Sequence, residues 1–234
     1  MLTGGSDPLT YISRIIILVL AISVHEFAHA LTANWLGDPT PRSQGRLTLD
    51  PRKHLDPFGS IMLILAGFGW GKPVYTDPRY FRTDARTGMA MVAAAGPLSN
   101  LLMAYLASFP MLLGLIPTEE IRYSILLCYF KSPEPLPQAF CASLSPLTHF
   151  IGAFIVLNLI LMVFNLLPLA PLDGYRVAVG LLPDEWFGAI ARYEKHGPII
   201  LMLLVAVPFI FKFSPLWMII TPPLLVLMNL LLPT

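Results

Sequence analysis

Charge is what this sequence most lacks. Asp, Glu, Lys and Arg make up 12% of its 234 residues, about half the roughly 25% usual in soluble domains. That leaves too little polar surface to clothe a water-soluble globule. The formal net charge is only +1, so the chain has no global basic field of the kind that gathers nucleic acid. Cysteine is nearly absent. Cys128 and Cys141 stand far from the motifs below; they pair if their segment faces an oxidising compartment and stay thiols otherwise. The first eleven residues contain no basic n-region, which argues against a removable signal peptide. No internal repeat, long low-complexity tail or soluble domain is visible.

Apolar sequence is abundant instead, at 56% of residues with mean hydropathy +0.69. Five stretches read as membrane helices: residues 12–36, 89–116 (interrupted by Gly96-Pro97), 150–169, 199–211 and 216–232. The fourth is short for a hydrocarbon core that needs about 20 residues. A sixth apolar run, residues 58–70, is shorter still. It either dips in and returns or crosses as a short span. The expected fold is an all-α polytopic membrane protein with about five transmembrane helices and one short re-entrant or sixth segment, forming a single membrane-embedded domain over residues 1–234.

Charge placement bears on the topology. If residues 58–70 return, loops 37–57, 71–87 and 174–197 share one side and hold eleven of the fifteen basic residues. The positive-inside rule makes that side cytoplasmic. If residues 58–70 cross, the split is lost. With residues 58–70 re-entrant, the loop at 117–148 is extracytoplasmic and, with five prolines, irregular. The 23 prolines overall break backbone bonds that protein or enclosed water must satisfy in hydrocarbon, which points to an internal polar cavity. Residues 45–49 alternate polar and apolar and read as a small edge strand, able to receive an unwound peptide by strand addition.

The chemistry sits near the end of the first span, in His25-Glu26-Phe27-Ala28-His29. On a helix, residues four apart share a face, so His25 and His29 can offer two imidazoles to one zinc ion. Glu26 lies about 100° round the helix, where a general base is needed to take a proton from water. Ala28, Ala30 and Ala33 support the helix and admit a close neighbour. The competing reading is a polar cluster bonded within the bundle, but such residues are costly in a span unless they work or pair. A catalytic zinc takes three protein ligands and keeps one position open. His54, His149, His196 and several carboxylates are formal candidates for the third. Asp173 is the best of them, because the charge-derived topology brings it to the same membrane face as both histidines. Alone, Asp173-Gly174 would be a turn that stops a span.

Three ordered signatures then make the chain resemble the site-2 protease family of intramembrane zinc metalloproteases, in its compact bacterial branch without a PDZ or CBS domain. His25-Glu26-Phe27-Ala28-His29 matches the zinc helix. Ala95-Gly96-Pro97-Leu98-Ser99-Asn100 matches the glycine-proline-asparagine signature. Residues 165–174 match the third, in which Asn165 precedes Asp173 by eight residues and Gly174 follows it. Asp56-Pro57-Phe58-Gly59 and Gly69-Trp70-Gly71-Lys72-Pro73-Val74 are also similar. The resemblance covers residues 12–180, which it marks as the catalytic core, leaving C-terminal helices at 198–232.

The resemblance implies one Zn2+ per chain held by His25, His29 and Asp173, with Glu26 as catalytic base. It implies that Asn165 and Pro171 lie at the cleft. It further implies a transmembrane or membrane-associated protein substrate, with the active site inside the bilayer toward the cytoplasm. Asn100 and Asn165 carry amides able to bond an unwound substrate backbone, or equally to join helices within the bundle. His54 stays open between a partner behind the ligands, a substrate contact and an interface residue. Two other functional classes stand beside proteolysis: a zinc-binding membrane transporter or sensor, and a noncatalytic scaffold.

Overall fold

A computed structural model describes residues 8–66, 69–125, 144–183, 185–186, 193–211 and 213–232. Among these residues the chain is helical and contains no sheet. In order come α1 (Pro8–Trp35), the short turns α2 (Thr40–Ser43) and α3 (Pro51–His54), α4 (Pro57–Ala66), α5 (Ala85–Leu112), α6 (Thr118–Tyr123), α7 (Pro146–Asn165), α8 (Asp173–Leu181), α9 (Gly197–Phe211) and α10 (Pro215–Leu231). Three of them, α1, α5 and α7, are long and apolar enough to cross a membrane; α9 and α10 are apolar but shorter, at 15 and 17 residues.

The outward faces are as apolar as the inside. On α1, Ile12, Ile16 and Leu20 are 52%, 48% and 43% exposed and recur every four residues, forming one stripe along the helix. Lipid, not water, satisfies such a surface. Because lipid tails are as apolar as leucine, helix association here depends on close packing rather than on expelling water. The sequence supplies small residues for it. Ala30 and Ala33 of α1 and Ala93 and Gly96 of α5 are buried, so the two backbones run close together. On the far side, α10 inserts Ile220, Leu224 and Met228, again four apart, against Ala104 of α5 and Ile155 and Leu159 of α7. A second cluster joins Ile17 and Leu18 of α1 to Leu63 of α4 and Leu157 of α7.

The expected spans and the helices agree to within a few residues. Helix α4 is only 10 residues long, about 15 Å at 1.5 Å per residue. Its two flanks lie side by side: Leu55 and Gly71 form an antiparallel bridge, and Lys72 N–H donates to the His54 carbonyl at 2.6 Å. Two expectations are corrected. Residues 45–49 form no edge strand. Gly45 N–H bonds to Arg42 O at 3.0 Å and Arg46 N–H to Pro41 O at 2.9 Å, so the segment begins in a local turn rather than in extended pairing. The loop at 117–148 is not irregular throughout, since Thr118–Tyr123 is helical with Glu119 and Glu120 in its first turn, where acidic side chains favour a helix start. Cys128 and Cys141 lie outside the described residues.

The connection from α4 to α5 is docked onto the end of α1. Asp38, fully buried, accepts from Thr40 N–H at 2.8 Å and from Asp77 N–H at 2.7 Å, while Arg82 N–H donates to Leu36 O at 2.8 Å. These bonds hold residues 71–82 against the helix that carries both histidines.

Candidate metal centre

His25 and His29 project from α1 one turn apart, both buried, with ring centroids 4.6 Å apart and planes at 83°. Asp173, the first residue of α8, meets both. Its Oδ2 is 3.0 Å from His25 Nε2 and 3.3 Å from His29 Nε2. The three donor atoms lie within 4.8 Å of one another, forming the one such cluster of His, Cys, Asp or Glu among the described residues. Residues 144 or more positions apart in sequence are thus brought to one point by the packing of α1, α5 and α8.

The other ring nitrogens fix the tautomers. His25 Nδ1 is 2.7 Å from Asn100 Oδ1, and His29 Nδ1 is 2.7 Å from the Val92 carbonyl. Both partners accept, so each Nδ1 carries the proton and donates it. Each Nε2 then keeps the lone pair that a metal takes. Two imidazole nitrogens and one carboxylate oxygen make the donor set of a catalytic zinc, with a coordination position left for water or substrate. The room is there because residue 96 is glycine. A Cβ at that position would fall 2.5 Å from His25 Nε2 and 2.4 Å from His29 Nε2.

Asp173 is aimed by both ends of its helix. Leu172, extended at φ −68° and ψ 156°, turns the chain into α8. At the other end Arg86 of α5 donates to Val179 O at 2.7 Å and to Leu182 O, satisfying carbonyls that a helix end leaves open.

Glu26 sits beside this centre with its side chain 13% exposed, and Arg46 Nη2 lies 3.8 Å from its Oε2. Arg46 is itself buried and donates to the carbonyls of Lys53 and Lys72. One guanidinium thereby ties the two flanks of α4 together beside the carboxylate. The Gly71 backbone closes over it, so near that a Cβ there would stand 2.9 Å from Glu26 Oε1. Substituting Arg46 with Met keeps length but removes these bonds. R46M is expected to lower turnover at least about tenfold, roughly 1.4 kcal/mol of barrier, with zinc content unchanged. Metal analysis beside an initial-rate assay checks this; wild-type turnover would detach Arg46 from the chemistry.

Of the other residues singled out in the sequence, Asn100 is fully buried behind His25. Asn165 is partly buried at the end of α7, its Nδ2 donating to Leu161 O at 2.9 Å in its own helix. Pro171 is exposed, two residues before Asp173 and after a cis peptide bond. His54 lies outside the ligand cluster. Its Nε2 donates to Thr48 O at 2.6 Å, and burial holds its imidazole below the ordinary histidine range, so it braces the turn through residues 48–54 as a neutral ring. Sequence reading missed Asn158, Arg46 and the Val92 carbonyl. Asn158 carried a signal, being an amide in mid-span two helical turns before Asn165. A backbone carbonyl carries none.

Comparison with known proteins agrees with this geometry. Residues 13–207 match the model of peptidase family M50. The putative zinc metalloprotease YwhC of Bacillus subtilis is 38% identical over 194 residues, covering 83% of this chain and 80% of the relative. The putative zinc metalloprotease Rip2 of Mycolicibacterium smegmatis is 30% identical over 211 residues, 86% of this chain and 71% of the relative; Rip2 of Mycobacterium tuberculosis matches at the same identity over 212 residues. No solved structure matches the chain. With a family model spanning residues 13–207 and a relative 38% identical over 83% of its length, the chain belongs to peptidase family M50.

Proposed function

We propose that this chain is an intramembrane zinc endopeptidase that hydrolyses peptide bonds of membrane-embedded or membrane-associated proteins. The observation that carries the reading is the convergence of His25 Nε2, His29 Nε2 and Asp173 Oδ2 while both Nδ1 atoms are engaged by acceptors. Those three side chains would hold one zinc. When bound, zinc supplies Lewis-acid polarisation of a scissile carbonyl and acidification of water. Glu26 takes the proton that the attacking water loses as the new C–O bond forms, and returns it to the amine as the C–N bond breaks. Arg46 and the Gly71 backbone confine the carboxylate while it does so.

The membrane setting follows from the same residues. The three long apolar helices give a multi-pass protein. Helix α4, with its flanks paired, is read as re-entrant. That keeps eleven of the fifteen basic residues on one side and sets the metal centre toward the cytoplasm. Asn165 and Pro171, on the segment leading to Asp173, are assigned to the substrate cleft. The whole length forms one metalloprotease domain, with residues 12–180 as its catalytic core and the helices at 198–232 supporting it.

The test is metal dependence in detergent or liposomes. Full-length protein is expected to hold one zinc per chain, to lose cleavage of a membrane protein substrate on chelation and to regain it with added zinc. A well-folded preparation that binds no zinc, or that cuts equally well after complete metal removal, refutes the assignment. A transporter or sensor would bind zinc but release no peptide.

A further inference from the structure

The polar atoms behind His25 form a chain that continues past Asn100 into α7. Asn100 Nδ2 donates to Asn158 Oδ1 at 2.9 Å, with a second, longer contact to Ala21 O at 3.4 Å. Asn158 Nδ2 donates to Phe154 O at 2.9 Å in its own helix. Asn100 and Asn158 are both fully buried. A buried amide without partners costs about 1–3 kcal/mol, and here both amides have theirs.

The order of donors along this chain has a direction. Asn158 points its NH2 at a main-chain carbonyl, and its oxygen faces Asn100. Asn100 must then turn its own NH2 toward Asn158, which leaves its oxygen facing His25 Nδ1. An oxygen there fixes the proton on Nδ1 and the lone pair on Nε2. If Asn100 turned over, its NH2 would face Nδ1, which would have to accept; the ring proton would move to Nε2, the atom that points at Asp173. Without Asn158, only the long 3.4 Å contact to Ala21 O would orient the Asn100 amide, whose two ends are nearly the same shape.

We propose that Asn158 is a positioning residue for the metal centre, which acts through the Asn100 amide to hold His25 in its metal-binding tautomer. The inference rests on the zinc-site reading above and adds to it a residue on a third helix that touches neither metal nor substrate. It also accounts for an asparagine in the middle of an otherwise apolar span, where a polar side chain is expensive unless used.

The test is zinc affinity, measured by competition with a chromophoric chelator on full-length protein in detergent, for the wild type, N158L, N100L and the double variant. Partners behind a ligand are worth about 10–100-fold in metal affinity. N158L is expected to weaken zinc binding by at least about tenfold on that scale, and N100L by at least as much. The double variant should bind within about twofold of N100L alone, because removing Asn158 has no further effect once its only route to His25 is gone. A merely structural role predicts the opposite, losses that multiply. N158L at wild-type affinity, or multiplied losses in the double variant, overturns the proposal while leaving zinc binding by the wild type intact. Wild-type protein that binds no zinc overturns both readings. Should N158L fail to fold, N158D decides. A protonated aspartate keeps an acceptor for Asn100 and a donor for Phe154 O, so N158D must bind zinc at least as tightly as the wild type, and weaker binding refutes the role.

Discussion

Replacing Glu26 with Gln is expected to leave zinc bound and to slow peptide hydrolysis by about 10²–10⁴-fold, the range that a positioned general base contributes. Glutamine matches glutamate in shape and keeps an acceptor oxygen, so Arg46, 3.8 Å away, and the Gly71 backbone meet an almost unchanged side chain. The amide cannot take a proton, so the base is removed, and with it the negative charge that faces Arg46. None of the three donor atoms of the metal centre belongs to Glu26, so metal content should not fall. Two measurements are needed together: zinc per chain, and the initial rate on a membrane protein substrate. The variant should also retain uncut substrate long enough for capture, which would identify what the wild type cleaves. E26Q that cuts at the wild-type rate would sink the assignment of the base. E26Q that has lost its zinc would show that the carboxylate helps to hold the metal.

The sequence made the histidine pair legible because it has a local signature. His25 and His29 are four apart on a strongly apolar helix, and their shared face follows from helix geometry alone. Asp173 needed more. The charge asymmetry of the loops put it on the same membrane face as the histidines, and its Oδ2 lies 3.0 and 3.3 Å from the two rings. The helices could be read for the same reason: long apolar runs ended by polar loops leave little choice in lipid. What escaped was everything decided by tertiary approach. Arg46 sits in a segment whose alternation imitates a strand, yet it turns inward because two carbonyls and Glu26 receive it. The Val92 carbonyl became a histidine partner because Ala93 and Gly96 let α5 pass against α1. Asn158 was visible as a mid-span amide, but its partner on another helix was not.

Gly96 is where that tertiary approach can be tested most severely. A methyl group added there would fall 2.5 Å from His25 Nε2, 2.4 Å from His29 Nε2 and 2.6 Å from His29 Cε1. Both imidazoles are held from behind, by Asn100 and by Val92 O at 2.7 Å each, so neither can step back without breaking a buried hydrogen bond. The methyl would therefore occupy the space in front of the donor nitrogens, or push the rings off their partners. Either way G96A should lose zinc, with affinity down at least about 100-fold, the upper end of what is lost when a partner behind a ligand is removed. Cleavage should fall below detection. The fold itself should survive. Alanine is favoured over glycine inside a helix by about 0.5–1 kcal/mol, and α5 packs elsewhere through Ala104 and Met111 in a separate cluster. Circular dichroism and size exclusion should therefore match the wild type while the metal is gone. This separation of metal from fold distinguishes steric closure of the site from general misfolding. G96A that binds zinc at full affinity would mean that α5 does not lie against the imidazoles, and the close approach of α1 to α5 that builds the centre would fall with it.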